Sequence, residues 1–244
     1  GRRQNPEGAL EVLAGALDQA PSPELLERIR LTLAAALLDV KNAKEALQHA
    51  SAVLANPASP LAGEARYLTG EACLQLKDYP KAVETLLPFR DKGELHQIAD
   101  VSDRAILRLG QAYALLGQWD PSRQALETLV NRYPNSPYVY EARYGIGWAW
   151  QNAKNFDQAI AAYQEVVKRT AAEPAARAQL QIGLCRLEQK KPQDAVTALL
   201  VVPYTYDYPD LAGQARCEAA RAYVELKQGD QARKLLNQVV QDTP

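Results

Sequence analysis

Residue types on which catalytic and metal sites depend are scarce in this sequence. It has only two histidines, His49 and His96, which lie far apart and have no second ligand at metal-site spacing. We expect both to be surface residues. No P-loop, HExxH motif or nucleophile elbow is present, and Gly145-Ile146-Gly147 lacks the third glycine of a dinucleotide fingerprint. The sequence therefore predicts a protein that is not an enzyme and that uses neither a metal nor a cofactor.

An excess of charge of one sign is also missing, as is a long apolar run. The 28 basic and 29 acidic residues give a formal net charge of −1. Nucleic-acid-binding proteins usually carry a basic stripe, so we expect no nucleic-acid partner, RNA included. The longest apolar run, around residues 31–38, is too short to span a bilayer.

Cysteine and methionine are rare or absent. The three cysteines, Cys73, Cys185 and Cys217, form an odd set without a CxxC pair, which argues against a disulfide framework. We expect them to be small buried residues, as free cysteine commonly is. The chain contains no methionine and begins Gly-Arg-Arg, so we expect it to be a piece of a longer protein.

The remaining composition favours helix. Hydrophobic residues make up 47% of the chain, alanine, leucine, glutamine and glutamate are abundant, and there are only 13 glycines. Long β-branched alternation is absent. The sequence predicts an all-α fold.

A helical hairpin recurs along the chain, and two independent alignments show it. Small residues of the first helix recur at intervals of 36, 40, 37, 36 and 37 residues, and small residues of the second helix recur at the same intervals. The first set is Ala34, Gly70, Gly110, Gly147, Gly183 and Ala220, and the second is Ala46, Ala82, Ser122, Ala159, Ala195 and Ala232. Neither helix can bury its apolar face alone, so neighbouring repeats must stack.

The repeats divide the chain into one array over residues 1–244. Residues 6–20 match the second helix of a truncated repeat. Six helix pairs follow, at residues 22–57, 59–90, 95–134, 136–170, 173–203 and 209–244. Ser22 and Ser136 each precede a proline and are expected to cap a first helix. Asn155 is expected to cap the second helix of the fourth repeat.

The repeat resembles the tetratricopeptide repeat. That family has a small residue in the first helix, an aromatic residue three positions later, an alanine in the second helix and a large residue four positions further on. Gly147, Trp150, Ala159 and Tyr163 match this pattern in the fourth repeat, whereas Arg186 takes the aromatic position in the fifth. The resemblance implies a right-handed α-solenoid that serves as a scaffold for protein–protein interaction.

One stretch of the sequence resembles a narrower subgroup of this family. YPNSPYVYEARY and the period of 36–37 residues resemble bacterial cell-envelope members of the family. Examples are the periplasmic coordinator of the Tol–Pal system and the lipoprotein of the outer-membrane β-barrel assembly machinery. This resemblance implies a periplasmic or envelope-associated scaffold.

The resemblance also implies that the first helices line a concave groove that binds a protein or peptide. The groove candidates are Tyr67, Glu71, Arg104, Leu107, Gln111, Tyr144, Trp148, Leu184 and Arg221. Tyr144 and Trp148 form an aromatic pair one helical turn apart, and aromatics with polar tips are common hot-spot residues. The alternative is that this pair packs against the next repeat.

A second candidate surface is the loop at residues 203–209. Tyr204, Tyr206 and Tyr208 alternate there between two prolines. If they are exposed, they form an amphipathic patch that could hold a partner. Alternatively, they fill the gap between two repeats.

The sequence therefore predicts a non-catalytic scaffold that binds a peptide or a segment of a partner protein. The alternative is a regulatory or targeting arm of a larger enzyme or of cell-envelope machinery.

Overall fold

The computed structural model describes residues 6–17, 19 and 22–242. Helix accounts for 79% of the chain, and the described residues contain no strand, which confirms the all-α prediction. The α-helices are α1 (Pro6–Leu17), α2 (Pro23–Asp39), α3 (Ala43–Leu54), α4 (Ala62–Gln75), α5 (Tyr79–Leu86), α6 (Pro88–Asp91), α7 (Ser102–Leu115), α8 (Trp119–Arg132), α9 (Val139–Asn152), α10 (Phe156–Val167), α11 (Glu173–Glu188), α12 (Pro192–Thr205), α13 (Pro209–Glu225) and α14 (Gly229–Asp242).

The chain divides into two compact units, Gly1–Leu129 and Val130–Pro244. Within each unit, successive helices pack on one another. The first helix of a repeat also contacts the first helix of the next, as α4 contacts α7 and α9 contacts α11. Helix α12 continues two residues past the boundary expected at position 203. The outer ends of the ranges 6–20 and 209–244 lie outside the described residues, and the repeat boundaries stay a prediction.

Close contact between the two helices of a repeat depends on the small residue of the first helix. A Cβ added to Gly110 would lie 2.5 Å from Leu126 Cδ2, and one added to Gly147 would lie 2.6 Å from Tyr163 Cε1. Each large residue stands 16 positions after its glycine. The side chain of the second helix thus fills the space that a larger residue on the first helix would take.

A tight turn joins the two helices of each repeat. Seven positions after each small residue, one residue adopts a left-handed conformation with φ between 59° and 70°. These residues are Lys41, Lys77, Gly117, Lys154, Lys190 and Lys227. In the first repeat, Asn42 N–H donates to Leu37 O at 2.8 Å and Lys41 N–H donates to Leu38 O at 3.1 Å. This bonding is the Schellman motif, and it keeps the hairpin geometry constant.

The expected helix caps are only partly found. Ser22 caps α2, since its hydroxyl accepts from a backbone N–H of the first turn at 3.3 Å. The expectation for Ser136 is wrong, because α9 begins at Val139 and the Ser136 hydroxyl accepts from Tyr138 N–H in the preceding turn. Asn155 precedes α10, but its side chain makes no capping hydrogen bond within the described residues.

The longest connection lies between α5 and α7. It contains α6 and a 3₁₀ turn at Gly93–Leu95, which accommodate the spacing of 40 residues. The buried Ser102 hydroxyl donates to Leu95 O at 2.7 Å and accepts from Ile98 N–H at 2.9 Å. The connection is therefore an ordered segment that presents Leu95 and Ile98 to the start of α4.

Two expectations about rare residues need correction. Cys73 and Cys185 are buried, and burial raises the pKa of both thiols, that of Cys185 to about 12. Cys217 is exposed, so the prediction of burial is wrong for this residue. Both histidines are half-buried rather than fully at the surface; for His49, 14% of the side chain is exposed.

The contact between Gly110 and Leu126 gives a test of how the hairpin is held. We expect Gly110→Ala to lower the free energy of unfolding by about 1–3 kcal/mol, because the new methyl group overlaps Leu126. Leu126→Ala alone leaves a cavity and is expected to cost about 2–5 kcal/mol. Urea unfolding of both variants and of the double variant measures the coupling between them.

The double variant is expected to lose less stability than the sum of the single variants. It recreates the first repeat, where Ala34 and Ala50 stand at the same two positions and are both fully buried. Strict additivity, to within about 0.5 kcal/mol, would contradict the proposed contact.

Candidate partner-binding surface

Two positions of the first helix alternate in residue type between odd and even repeats. Odd repeats have arginine six positions and leucine three positions before the small residue, and even repeats have glutamate and tyrosine there. The pairs are Arg28 and Leu31, Glu64 and Tyr67, Arg104 and Leu107, Glu141 and Tyr144, and Arg177 and Leu180. The sixth repeat departs from the pattern with Gln214 and Cys217. Each tyrosine is therefore followed by an arginine on the next repeat.

The first cluster comprises Tyr67, Glu71, Arg104 and Arg108 and is called the Tyr67 cluster. Arg104 on α7 lies over the Tyr67 ring of α4, with its Cζ 5.2 Å from the ring centroid. One turn along, Arg108 Nε lies 2.7 Å from Glu71 Oε1. Arg108 also donates to Gln111 Oε1 at 2.8 Å. Charged side chains of two helices thus cover a buried tyrosine, in a combined cation–π and ion-pair arrangement.

Burial dominates the chemistry of Tyr67. It raises the pKa of the Tyr67 hydroxyl to about 12, and the negative charge of Glu71 adds to the rise. The positive charges of Arg104 and Arg108 oppose it. The phenol therefore stays neutral and can act as a hydrogen-bond donor throughout the physiological range.

The second cluster comprises Tyr144, Trp148, Arg177 and Gln181 and is called the Tyr144 cluster. Arg177 Cζ on α11 lies 4.6 Å from the Tyr144 ring centroid. Tyr144 also contacts Tyr163 on α10, whose ring centroid is 5.4 Å away at a tilt of 51°. Burial raises the pKa of Tyr144, while the charge of Arg177 and hydrogen bonds to Arg177 and Gln181 oppose the rise.

Trp148 is the accessible aromatic of the Tyr144 cluster, with 39% of its surface exposed. Tyr144 is half-buried and packs partly against Arg177 of the next repeat, as the alternative interpretation of the aromatic pair expects, and recognition of a partner by the pair stays a prediction. Leu184 is half-buried on α11. Arg221 is exposed on α13, where it pairs with Glu218 at 3.0 Å.

The predicted groove residues differ widely in access. Tyr67 and Leu107 are buried, so only their neighbours could touch a partner directly. Glu71, Arg104 and Gln111 are half-buried. The Tyr67 cluster lies in the first compact unit and the Tyr144 cluster in the second. Each therefore has to be treated as a separate surface.

The tyrosine-rich segment is not wholly a loop. Helix α12 includes Pro203 and ends at Thr205, so the position of Tyr204 was predicted wrongly. Tyr204 is 78% exposed, whereas Tyr206 and Tyr208 are half-buried. Tyr206 and Tyr208 line a cleft of about 720 Å³ at the start of α13. The segment thus supplies one exposed ring and one wall of a cleft.

Two contributors to the clusters were missed by sequence reasoning. Arg108 pairs with Glu71 from 37 positions away, and opposite charges at one level of successive repeats were the signal available. Gln181 Oε1 is buried and has no hydrogen-bond partner among the described residues.

Arg186, which takes the aromatic position of the fifth repeat, is half-buried. It donates to Gln189 Oε1 at 2.9 Å, so its partner there is an amide rather than a carboxylate.

Other kinds of site find little support in the part of the chain that the structure describes. No group of three or more histidine, cysteine, aspartate or glutamate side chains is placed there to hold a metal ion. No helix within that part combines the length and the apolar character needed to cross a membrane.

Comparisons with known proteins agree on the family. Two sequence profiles, both described as tetratricopeptide repeat, match the chain. One matches residues 104–136, and the other matches residues 31–87 and 149–212. Together they cover more than half of the chain. The chain therefore belongs to the tetratricopeptide-repeat family, whose members are generally non-catalytic scaffolds. None of the curated proteins matches it.

Solved structures share the fold at low sequence identity. A tetratricopeptide repeat protein from Parabacteroides merdae is 12% identical with a TM-score of 0.67, and the match covers 98% of this chain and 87% of that one. The apo quorum sensor NprR from B. thuringiensis is 14% identical with a TM-score of 0.70, over 97% and 70% of the two chains. Apo RapI is 12% identical with a TM-score of 0.66, over 99% and 92%.

Burial of Tyr67 predicts a pH dependence of stability. An unfolded tyrosine titrates at about 10, and the folded pKa is about 12. Between these values the unfolded chain loses the proton first, so the free energy of unfolding is expected to fall as pH rises from about 10 to about 12. Chemical unfolding at a series of pH values measures this slope.

Tyr67→Phe should remove part of that slope, because its ring has no proton to lose. Tyr204→Phe is the matched control, because this ring is 78% exposed and changes little in environment on folding. If Tyr67→Phe and the unaltered protein have the same slope, Tyr67 does not have the raised pKa.

Proposed function

We propose that the chain is a non-catalytic scaffold that holds an extended segment of a partner protein along its first helices. The observation that carries this proposal is the Tyr144 cluster. There an exposed tryptophan stands one turn from a tyrosine that is stacked under an arginine of the next repeat. Tryptophan, tyrosine and arginine are the residues most enriched at binding hot spots.

The geometry favours a binding role for Trp148 in particular. Tyr144 is fixed from two sides by Tyr163 and Arg177, so the first helix presents Trp148 on a rigid base. A helix that is already held in place loses little conformational entropy when a partner binds. Leu184, half-buried on the neighbouring first helix, supports an apolar contact beside a polar rim.

The Tyr67 cluster supports a second contact of a different chemistry. Its tyrosine is buried, and the groups at its surface are the guanidinium and carboxylate of Arg108 and Glu71. Such a surface suits hydrogen bonding to the backbone or polar side chains of a peptide. A segment that binds the first unit is therefore expected to be polar where it meets Arg108, and a segment that binds the second unit is expected to be apolar where it meets Trp148.

Crosslinking tests the proposal directly. A photo-reactive amino acid at position 148 is expected to capture a partner protein in the cell of origin. With that partner purified, Trp148→Ala is expected to weaken binding roughly 30-fold, the loss typical of a hot-spot residue. Fluorescence anisotropy of the labelled partner measures this change.

Position 240 supplies the matched control. Val240 lies on α14, a second helix, and is 75% exposed, so crosslinking there should capture nothing and Val240→Ala should bind normally. Equal loss of affinity in the two alanine variants, or none in either, would rule out the first-helix surface.

We also propose that the partner belongs to bacterial cell-envelope machinery. The support is the phrase YPNSPYVYEARY, which resembles envelope members of the family; the matching profiles do not distinguish that subgroup. In the alternative, the chain is a regulatory or targeting arm of a larger enzyme or of such machinery. Cell fractionation of the native protein decides the envelope question, and its presence only in the cytosol would reject it.

A further inference from the structure

The fifth repeat differs from the others at one core position of its first helix. In the other five repeats, the residue three positions after the small one is apolar or aromatic. These residues are Leu37, Cys73, Tyr113, Trp150 and Tyr223. Each of them is buried or packs against a core cluster. The fifth repeat has Arg186 at this position, so a charged side chain stands where the other repeats place core.

The Arg186 guanidinium is bound within its own repeat by an amide. Its Nη1 donates to Gln189 Oε1 at 2.9 Å, and Gln189 Nε2 donates to Asp157 Oδ1 on α10 at 2.8 Å. The amide therefore separates the guanidinium from that carboxylate. No carboxylate of the described residues forms an ion pair with Arg186. The guanidinium has five N–H donors, so this half-buried group keeps donors for an acceptor from outside.

A groove lies beside Arg186, between the second helices α10 and α12, which both pack on α11. We call it the Arg186 groove. Val167 of α10, Ile182 of α11 and Val201 of α12 supply its apolar lining. Its volume of about 680 Å³ is within the range of ligand sites. The groove thus combines an apolar lining with one guanidinium.

Packing on α11 holds the groove in shape. Gln179 is buried, and its Nε2 donates to Ala198 O on α12 at 2.9 Å, which fixes α12 to α11. Ile182 is buried, so the floor is ordered as well. A site that is already formed loses little conformational entropy when a ligand binds.

Positive charge predominates in the lining of the Arg186 groove. Lys168 and Arg186 line it together with one acidic residue, Asp194. Lys168 already pairs with Glu165 at 3.3 Å. Asp194 lies in the first turn of α12, where the helix dipole stabilises a negative charge. Arg186 is therefore the charge in this groove that calls for a group of opposite sign.

We propose that the Arg186 groove binds an acidic segment of a partner protein, in which an aspartate or glutamate stands beside a large apolar residue. The carboxylate accepts hydrogen bonds from the guanidinium of Arg186. The apolar side chain packs on Ile182, Val167 and Val201. This site goes beyond the proposed function, because neither the Tyr67 cluster nor the Tyr144 cluster lines it.

A library of displayed random peptides is the probe for this site. Peptides are selected on the whole chain and depleted on Arg186→Tyr, in which a ring fills the groove. The recovered peptides are expected to carry aspartate or glutamate beside leucine, phenylalanine or tryptophan. A recovered peptide, synthesised with a fluorophore, is expected to bind with one peptide per chain. Its affinity, measured by fluorescence anisotropy, should fall as the salt concentration rises.

Arg186→Gln is expected to weaken binding of a recovered peptide at least about tenfold, because the charge-assisted hydrogen bonds are lost. Arg233→Gln is the matched control, since Arg233 is exposed on the second helix α14 and does not line the groove. It should bind the peptide as the unaltered chain does. A peptide with asparagine or glutamine in place of its acidic residue should also bind at least about tenfold more weakly.

Arg186→Tyr tests the groove without a ligand. It restores the residue type of the third and sixth repeats, so its ring is expected to fill the space and to raise the midpoint of thermal unfolding. A lower midpoint would contradict an open space at this position.

The proposal is overturned if no saturably binding peptide survives depletion, if the recovered peptides are not enriched in acidic residues, or if Arg186→Gln binds them normally. Sedimentation that shows a dimer in the unaltered chain but not in Arg186→Gln would assign the groove to a second copy and would also overturn it. Trp148→Ala should bind the peptides normally. Weaker binding by that variant would place them on the first-helix surface, so the two proposals fail separately.

Discussion

In the second to fifth repeats, the structure depends on a side chain from the second helix that occupies the place of a missing side chain on the first helix. Where the first helix has Gly110 or Gly147, the second has Leu126 or Tyr163, and where the first has Ala34, the second has Ala50. The left-handed residue between the helices fixes the separation of these partners. Each first helix therefore has a similar orientation about its own axis relative to the second helix of its repeat.

That constancy is what brings side chains of successive repeats together. The residue three positions before the small one lies toward the next first helix in the second and fourth repeats, where it is a tyrosine. Tyr67 and Tyr144 meet Arg104 and Arg177 for this reason, and each contact joins two repeats. A single hairpin carries only half of such a contact, so the surface exists only in the stacked array.

Much of this was predictable from the sequence, because it follows from periodicity. The small residues, the all-α fold and the alternating residues of the first helices all repeat at a nearly constant interval. Contacts that occur only once in the chain cannot be predicted from this periodicity. The pairing of Arg108 with Glu71 and the insertion of Ile98 beside Gly63 depend on how a connection of one particular length folds back.

Two predictions based on single residue types, Pro203 and Cys217, were wrong. Pro203 indicated a break, yet α12 continues to Thr205, because proline in the last turn removes only one backbone hydrogen bond. Cysteine composition indicated burial, but register places Cys217 at the surface.

The contact between Tyr144 and Arg177 limits how such an array can grow by gene duplication. If the even hairpin were copied alone, its tyrosine would face the glutamate of the copy, and the stacked guanidinium would be lost. Copying an odd and an even hairpin together preserves the contact. Growth by two hairpins at a time would keep the alternation of arginine and leucine with glutamate and tyrosine that the first five repeats carry.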